Sequence, residues 1–382
     1  MVRFMPFFQA RAGLLRGAAE GGTLRGVGGG MKVGLLPALW LGLLAACSPG
    51  EPEVVLELSP QRSGTTALLQ AVSPVDTRVV WVSGHEGTFG RTLDGGRSWW
   101  TSVMEGEEEL QFRDVEAFDS VTAYLMSAGS GPASRIYRTD DGGRSWRLQY
   151  QAENPEAFLD CMAFWDRNRG VAYGDAVDSL PFIIRTTDGG RRWRRVSASG
   201  LPRALPGEGG FAASGSCVVT GGAGRAWVAT GAGPRARVLR TTDWGETWES
   251  AEVPVVAGGM SGLTTLAMAS DGWGIALGGT IGGDTLRTRN VAVTADGGIS
   301  WTPGSPPAMT GPVYGSSLAV KGEEKQVVVA GPRGLDRARV PELEWFAVDS
   351  LTHWAVAFAA PEAGWAVGPG GRITRLTFRN WR

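Results

Sequence analysis

The sequence predicts an all-β protein: a single seven-bladed β-propeller of four-stranded antiparallel blades, with an N-terminal strand closing the last blade. Three observations predict it. The stretch RTDDGGRSW at Arg138–Trp146 has relatives at RTLDGGRSW, RTTDGGRRW, RTTDWGETW and VTADGGISW, whose aspartates Asp94, Asp141, Asp188, Asp243 and Asp296 stand 47, 47, 55 and 53 residues apart. A second pattern, a short β-rich run and then a small residue and glycine, occurs seven times, six of them with an aromatic, ending at Gly84, Gly129, Gly174, Gly231, Gly278, Gly331 and Gly368. The composition, with 58 Gly and 21 Pro in 382 residues, disfavours long helices and suits short strands joined by turns. A period near 50 residues is the signature of solenoids or propellers, and neither chain end offers the polar cap that a solenoid needs.

The N-terminal region departs from this pattern. Lys32 precedes the apolar run VGLLPALWLGLLAAC, which is short for a membrane span and right for a secretory signal. It ends in Leu44, Ala45, Ala46 and Cys47, a tetrapeptide that resembles the lipobox of bacterial lipoproteins and so implies acylation of Cys47. The expected organisation is a signal region over 1–46, with translation beginning at Met31, a lipidated tether over 47–52 and the propeller over 53–382. Export and a lipid anchor in the cell envelope follow from that reading.

Within one repeat, Phe158 to Val196, the segments FLDCMAFW, GVAYG, FIIRTT and RRWRRV are β-branched and aromatic runs separated by turn formers, as in a four-stranded meander. Such a sheet cannot bury both faces alone, and radial packing lets each cover its neighbour. The last copy supplies only three strands, around His353–Phe358, Gly364–Gly368 and Ile373–Leu376. The early stretch VVLELS is expected to provide the fourth. Cys161 and Cys217 are too few for a disulfide framework and are read as buried small hydrophobes, with a disulfide as the lesser alternative.

The recurring RTxDGGxxW falls between the third and fourth strands of a blade, where glycine permits positive φ, aspartate accepts turn N–H groups and tryptophan fills space between blades. The stretch resembles the Asp-box, or BNR repeat. Its structural positions are Asp94 with Trp99, Asp141 with Trp146, Asp188 with Trp193, Asp243 with Trp248 and Asp296 with Trp301. Arg192 replaces the hydroxyl of the third copy, Trp244 precedes Gly245 in the fourth, and the sixth copy keeps only Trp345 in LDRARVPELEW. The combination of GWAVG-type strands, RTTDGGRRW boxes, LPGEGGFAASGSC at Leu205–Cys217 and the ending GWAVGPGGRITRL resembles bacterial relatives of the photosystem II stability and assembly factor family. That resemblance implies a seven-bladed propeller that acts by binding proteins. Bacterial members of the family are often labelled oxidoreductases, and the sequence offers no support for that label: there is no dinucleotide fingerprint opening a helix and no CxxC, so no cofactor is expected.

Acidic and basic side chains nearly cancel, 38 against 37, which gives no field to draw nucleic acid. Glycan binding or sialidase-like hydrolysis is the competing function, since some glycosidases share Asp-box propellers. Such chemistry needs a tyrosine nucleophile and an acid. Tyr314 in GPVYGSS is the loose candidate among five tyrosines, and Asp175 with Asp178 the candidate acid pair, although turn chemistry explains those aspartates better. His85 and His353 lack the carboxylate companions of a metal site, so no metal is expected. The basic run RRWRR is read as a solvated outer strand. Protein binding is expected on the face away from the boxes, where GHEGTFG, GDAVDSL, GAGPRAR, GGTIGGD and GPRGLDR present Glu86, Asp175, Asp178, Arg235, Arg237, Asp284, Arg333 and Asp336.

Overall fold

The computed structural model describes residues 54–381; the signal region, Cys47 and the tether lie outside the described residues. The N-terminal strand β1 (Val55–Arg62) precedes blade 1, which is β2 to β5 (Leu69–Pro74, Val80–Gly84, Thr88–Thr92, Trp100–Val103). Blade 2 is β6 to β9 (Phe112–Ala117, Ala123–Ser127, Arg135–Thr139, Arg147–Gln151), and blade 3 is β10 to β13 (Leu159–Phe164, Gly170–Val177, Leu180–Thr186, Arg194–Arg195). Blade 4 is β14 to β17 (Val218–Gly221, Arg225–Ala229, Ala236–Thr241, Glu249–Val253), and blade 5 is β18 to β21 (Ser261–Met268, Gly274–Thr280, Val291–Thr294, Thr302–Pro303). Blade 6 is β22 to β25 (Gly315–Lys321, Glu324–Gly331, Gly334–Val340, Trp345–Asp349), and blade 7 combines β26 to β28 (Ala355–Ala360, Ala363–Gly368, Arg372–Arg379) with β1. Each is a four-stranded antiparallel sheet, and the first strand of each blade neighbours those of the blades on both sides, β26 returning to β2. The ring is closed by β1 against β28, in register from Val55 opposite Arg379 to Arg62 opposite Arg372.

Because the blades cover one another on both faces, their second strands are mostly continuous buried runs rather than alternating ones. VWVSG of β3, AYLMS of β7 and AGWAVG of β27 are buried at every position. The fourth strands face outward and are the most exposed, from the all-arginine Arg194–Arg195 of β13 to β5 and β25, which leave Trp100, Val103 and Phe346 at the surface. One blade is joined to the next by aromatic and guanidinium donors. Trp81 Nε1 donates to Asp119 O at 3.0 Å, Tyr124 Oη to Gly189 O at 2.8 Å and Trp227 Nε1 to Gly297 O at 2.8 Å. The arginine that opens the repeated motif works alongside them: Arg138 Nη1 donates to Gly189 O at 2.7 Å. At the seam Arg375 Nη1, from β28, reaches Gly95 O at 3.1 Å.

The DGG turns are built from their own side chains. Thr139 Oγ1 donates to Asp141 Oδ1 at 2.8 Å and accepts Gly143 N at 2.9 Å, while Ser145 donates its N–H to Oδ1 and its hydroxyl to Oδ2. Gly142 N then donates to Val121 O, tying the turn to the loop between the first two strands of its own blade. Hydrogen bonds from Ser145 hold the Asp141 carboxyl down at about 2. Trp146 meets Phe89 of blade 1 edge to face at 5.1 Å. In the third copy Arg192 keeps the backbone bond to Asp188. Blade 6 replaces the turn with a link containing the cis Val340–Pro341 bond, and Trp345 Nε1 donates to Ser305 O.

The cysteines correct the expectation of unpaired residues. Cys161 and Cys217 are fully buried, as expected, but they form a disulfide with 5.8 Å between Cα atoms. The ring places the innermost strands β10 and β14 side by side, a proximity that 56 residues of sequence separation conceals.

Candidate functional site

The DGG turns and the turns between first and second strands lie at one end of the ring. The turns between second and third strands, together with the connections between blades, form the other end, the loop face. At the centre of the loop face the connection from blade 3 to blade 4 crosses the mouth of the central channel, and we term Gly209–Ser216 the plug. Its backbone is bound from around the ring. Gln70 Nε2 of blade 1 donates to Ala213 O and Arg113 Nη1 of blade 2 to Ala212 O, both at 3.3 Å. Asp175 Oδ1 of blade 3 accepts Gly210 N at 3.0 Å, Gly209 N donates to Gly231 O of blade 4, Ser216 meets Thr265 of blade 5 at 2.8 Å, and Ser214 Oγ donates to Tyr314 O of blade 6 at 2.7 Å.

The side chains that reach the plug are aimed by bulges. The pairing of first and second strands skips one residue in blades 1, 2 and 3, and the skipped residues are Gln70, Arg113 and Asp160. A bulge turns its extra residue out of the ladder; here it delivers a polar group to a buried backbone that needs partners. Gly209 and Gly210 are required by the approach. A Cβ on Gly209 would lie 1.9 Å from Asp175 Oδ1, and one on Gly210 would lie 2.4 Å from Asp160 Oδ2.

The plug is anchored at its start by Glu208, which forms a buried ion pair with Arg237. Glu208 Oε1 accepts Arg237 Nε and Thr230 Oγ1, each at 2.8 Å, and Oε2 accepts Leu205 N at 2.8 Å. Arg237 also donates to Ser250 Oγ and Arg203 O.

Asp160 and Asp175 beside the plug, with Asp114 and its neighbour Glu116 further along β6, outnumber the guanidinium of Arg113. Burial pushes the Asp175 carboxyl up to about 6 against the pull of Gly210 N–H, and burial pushes Glu116 up to about 8. Burial raises Asp160 as well, reinforced by the Asp175 charge and opposed by Arg113. Burial, together with the charge of Arg113, lowers His85 to about 4, leaving its ring neutral against Gln70 Oε1. Asp175 holds the plug directly through Gly210 N–H, and His85 acts on it through Gln70.

The residues singled out on the loop face divide into two sets. Glu86 and Asp178 are exposed at left-handed turn positions, with φ of 57° and 54°, Arg235 is exposed and paired with Glu252, and Arg333 is exposed and donates to Asp284 O at 3.4 Å. Asp284 is half-buried. Arg237 and Asp336 lie inside strands β16 and β24 rather than in loops, which turns them inward. Arg237 joins Glu208, while Asp336 accepts Met309 N at 2.7 Å with its carboxyl raised by burial. Asp175 is likewise inside β11 and committed to the plug, so Asp175 and Asp178 do not form an acid and base pair. Tyr314 is buried and stacked on Trp354 at 4.4 Å, away from solvent. His353 Nε2 donates to Asp349 Oδ2 at 2.9 Å inside the protein.

No protein-family model and no curated protein matches the sequence. Among solved structures, the chain is similar to YCF48 bound to D1 peptide, with 17% identity over 84% of this chain and 96% of that one and a TM-score of 0.59. It is similar to YCF48 from Cyanidioschyzon merolae at 16% identity, covering 84% of this chain and 98% of that one, with a TM-score of 0.58. An ancestral GH74 enzyme gives 14% identity over 83% of this chain and 46% of that one, with a TM-score of 0.59. At these identities the likeness establishes a shared propeller fold.

Proposed function

We propose that this protein is a non-catalytic protein-docking propeller, exported and anchored to the bacterial cell envelope through acylated Cys47. The five turns, four DGG and one DWG, are its Asp-boxes, and the chain resembles the photosystem II assembly factor-like propellers. The observation that carries the docking reading is the plugged mouth. Where many propellers admit a small molecule, this one fills the space with its own backbone and leaves the surrounding loops as the rigidly held, outward-facing surface. The likeness to YCF48, solved with a D1 peptide, supports a polypeptide as the class of partner. The disulfide supports an oxidising compartment.

The test is site-specific photocrosslinking in native membranes from positions 178 and 333 on the loop face and from position 144 on the opposite face. The expected result is one partner captured from 178 and 333 and lost in the Asp178→Lys, Arg333→Glu variant. Capture from 144 alone would refute the face assignment. Cys47→Ala is expected to move the protein from the membrane to the soluble fraction, and retention at the membrane would refute the anchor.

A further inference from the structure

Blade 5 differs from its neighbours at the loop face. Its connection between second and third strands is long, running from Ile281 to Asn290, and its fourth strand is only Thr302–Pro303. The short outer strand leaves a groove of about 290 Å³ between that connection and the chain leading to blade 6. Its walls are apolar, with Leu286, Pro303, Pro306 and Met309, and Leu286 is 47% exposed. Arg287 and Arg289 stand on the rim. Arg287 donates to Ala308 O, which fixes its guanidinium beside the groove. Arg289 is exposed, and its side chain makes no hydrogen bond or ion pair among the described residues.

A second depression of about 350 Å³, lined by Pro234, Val253, Val255 and Ala257, lies on the blade 4 side and also includes Arg289. The accessible walls of this second depression are mostly polar, with Arg235 paired to Glu252, so Arg289 stands between one apolar socket and one polar depression. Each is near the lower end of the size range for small-molecule sites and suits one or two side chains rather than a cofactor. At the inner wall of the first, Asn290 is buried and its Oδ1 has no donor.

We infer that this groove binds an extended segment of a partner polypeptide in which an acidic side chain neighbours an apolar residue, the apolar group entering the socket beside Leu286 and the carboxylate resting on Arg287 and Arg289. Charge complementarity selects the acid, since the only acidic side chain lining either depression, Glu252, is already paired with Arg235. The apolar socket lined by Leu286, Pro303, Pro306 and Met309 selects the neighbouring apolar group. The inference rests on the docking reading for the polypeptide nature of the occupant and adds a recognition site to it.

The test uses a fluorescein-labelled peptide, Ser-Leu-Gly-Glu-Gly-Leu-Ser with blocked ends, and fluorescence anisotropy on the mature propeller. Replacing the peptide Glu by Gln is expected to weaken binding about fivefold, and Arg289→Glu about tenfold, as for partly exposed charge pairs. A Lys peptide is expected to regain affinity for Arg289→Glu but not for the unaltered protein. Because Arg289 is exposed, the variant should melt at the wild-type temperature. Equal binding of Glu and Gln peptides, no binding at millimolar peptide, or binding of decanoate in preference to the peptide would overturn the inference. Loss of the peptide result with the crosslinks from 178 and 333 intact would remove the groove and leave the docking face standing.

Discussion

Replacing Arg237 by Met should destabilise the propeller by about 3 to 5 kcal/mol, because it leaves Glu208 as a buried charge without its counter-ion. The magnitude follows from the site. The side chains of Glu208 and Arg237 are 1% and 8% exposed, and after the change the carboxylate would keep only Thr230 Oγ1 and Leu205 N. For a body of roughly 330 residues, an unfolding entropy of about 2.1 cal/mol/K per residue converts that loss into a fall in Tm of about 4 to 7 °C. Calorimetry at pH 7 would measure it. Removing both charges, in Arg237→Met with Glu208→Leu, should recover most of the loss, since two apolar side chains need no mutual compensation. A single substitution costing less than about 1 kcal/mol, or a double variant no more stable than the single, would refute the view that this pair anchors the plug.

Two further outcomes follow from the same groups. The raised carboxyls of Asp175 and Glu116 favour the protonated folded state, so their contribution is complete below their unfolded values near 4 and is lost as pH rises through about 6 and about 8. The lowered Asp141 contributes above about pH 4 and loses that contribution toward about 2. Tm should therefore peak on the acid side of neutrality, and Glu116→Gln should flatten the decline toward pH 8. A wild-type Tm that rises from pH 5 to 8, or superimposed profiles, would contradict this. Cys161→Ser with Cys217→Ser should lower stability by about 4 kcal/mol for a closed loop of this length, read by denaturant unfolding; an unchanged midpoint would show that the crosslink adds no constraint.

The ring itself was legible because its determinants are local and repeated. Each RTxDGGxxW carries its threonine, aspartate, glycines and tryptophan within nine residues, and VVLELS could be matched to the missing fourth strand. The plug was not legible in the same way. LPGEGGFAASGSC stood out as a motif, but Gln70, Tyr314 and Arg113 reach it from about 100 residues away or more, and a bulge leaves no mark in period-two patterning. The glycines were the available signal: Gly209 and Gly210 pack against carboxylates, an approach that only a missing side chain allows. Arg237 and Asp336 were misplaced because GAGPRAR and GPRGLDR pass from turn to strand within the quoted stretch. The disulfide escaped for the same reason as the plug, since nearness around a circle is unrelated to nearness along the chain.

The seam also governs the order of events during synthesis. β1 is translated first, yet its partner β28 lies 310 to 324 residues downstream, which at about 5 to 20 residues per second is a wait of about 15 to 60 seconds. For that interval β1 is an unclaimed strand. Glu57, Pro60 and Arg62 within it are the charges and proline that keep such a strand from joining the wrong neighbour. Completion of the circle is thereby a proofreading step, available only to a chain that has been made to its last strand.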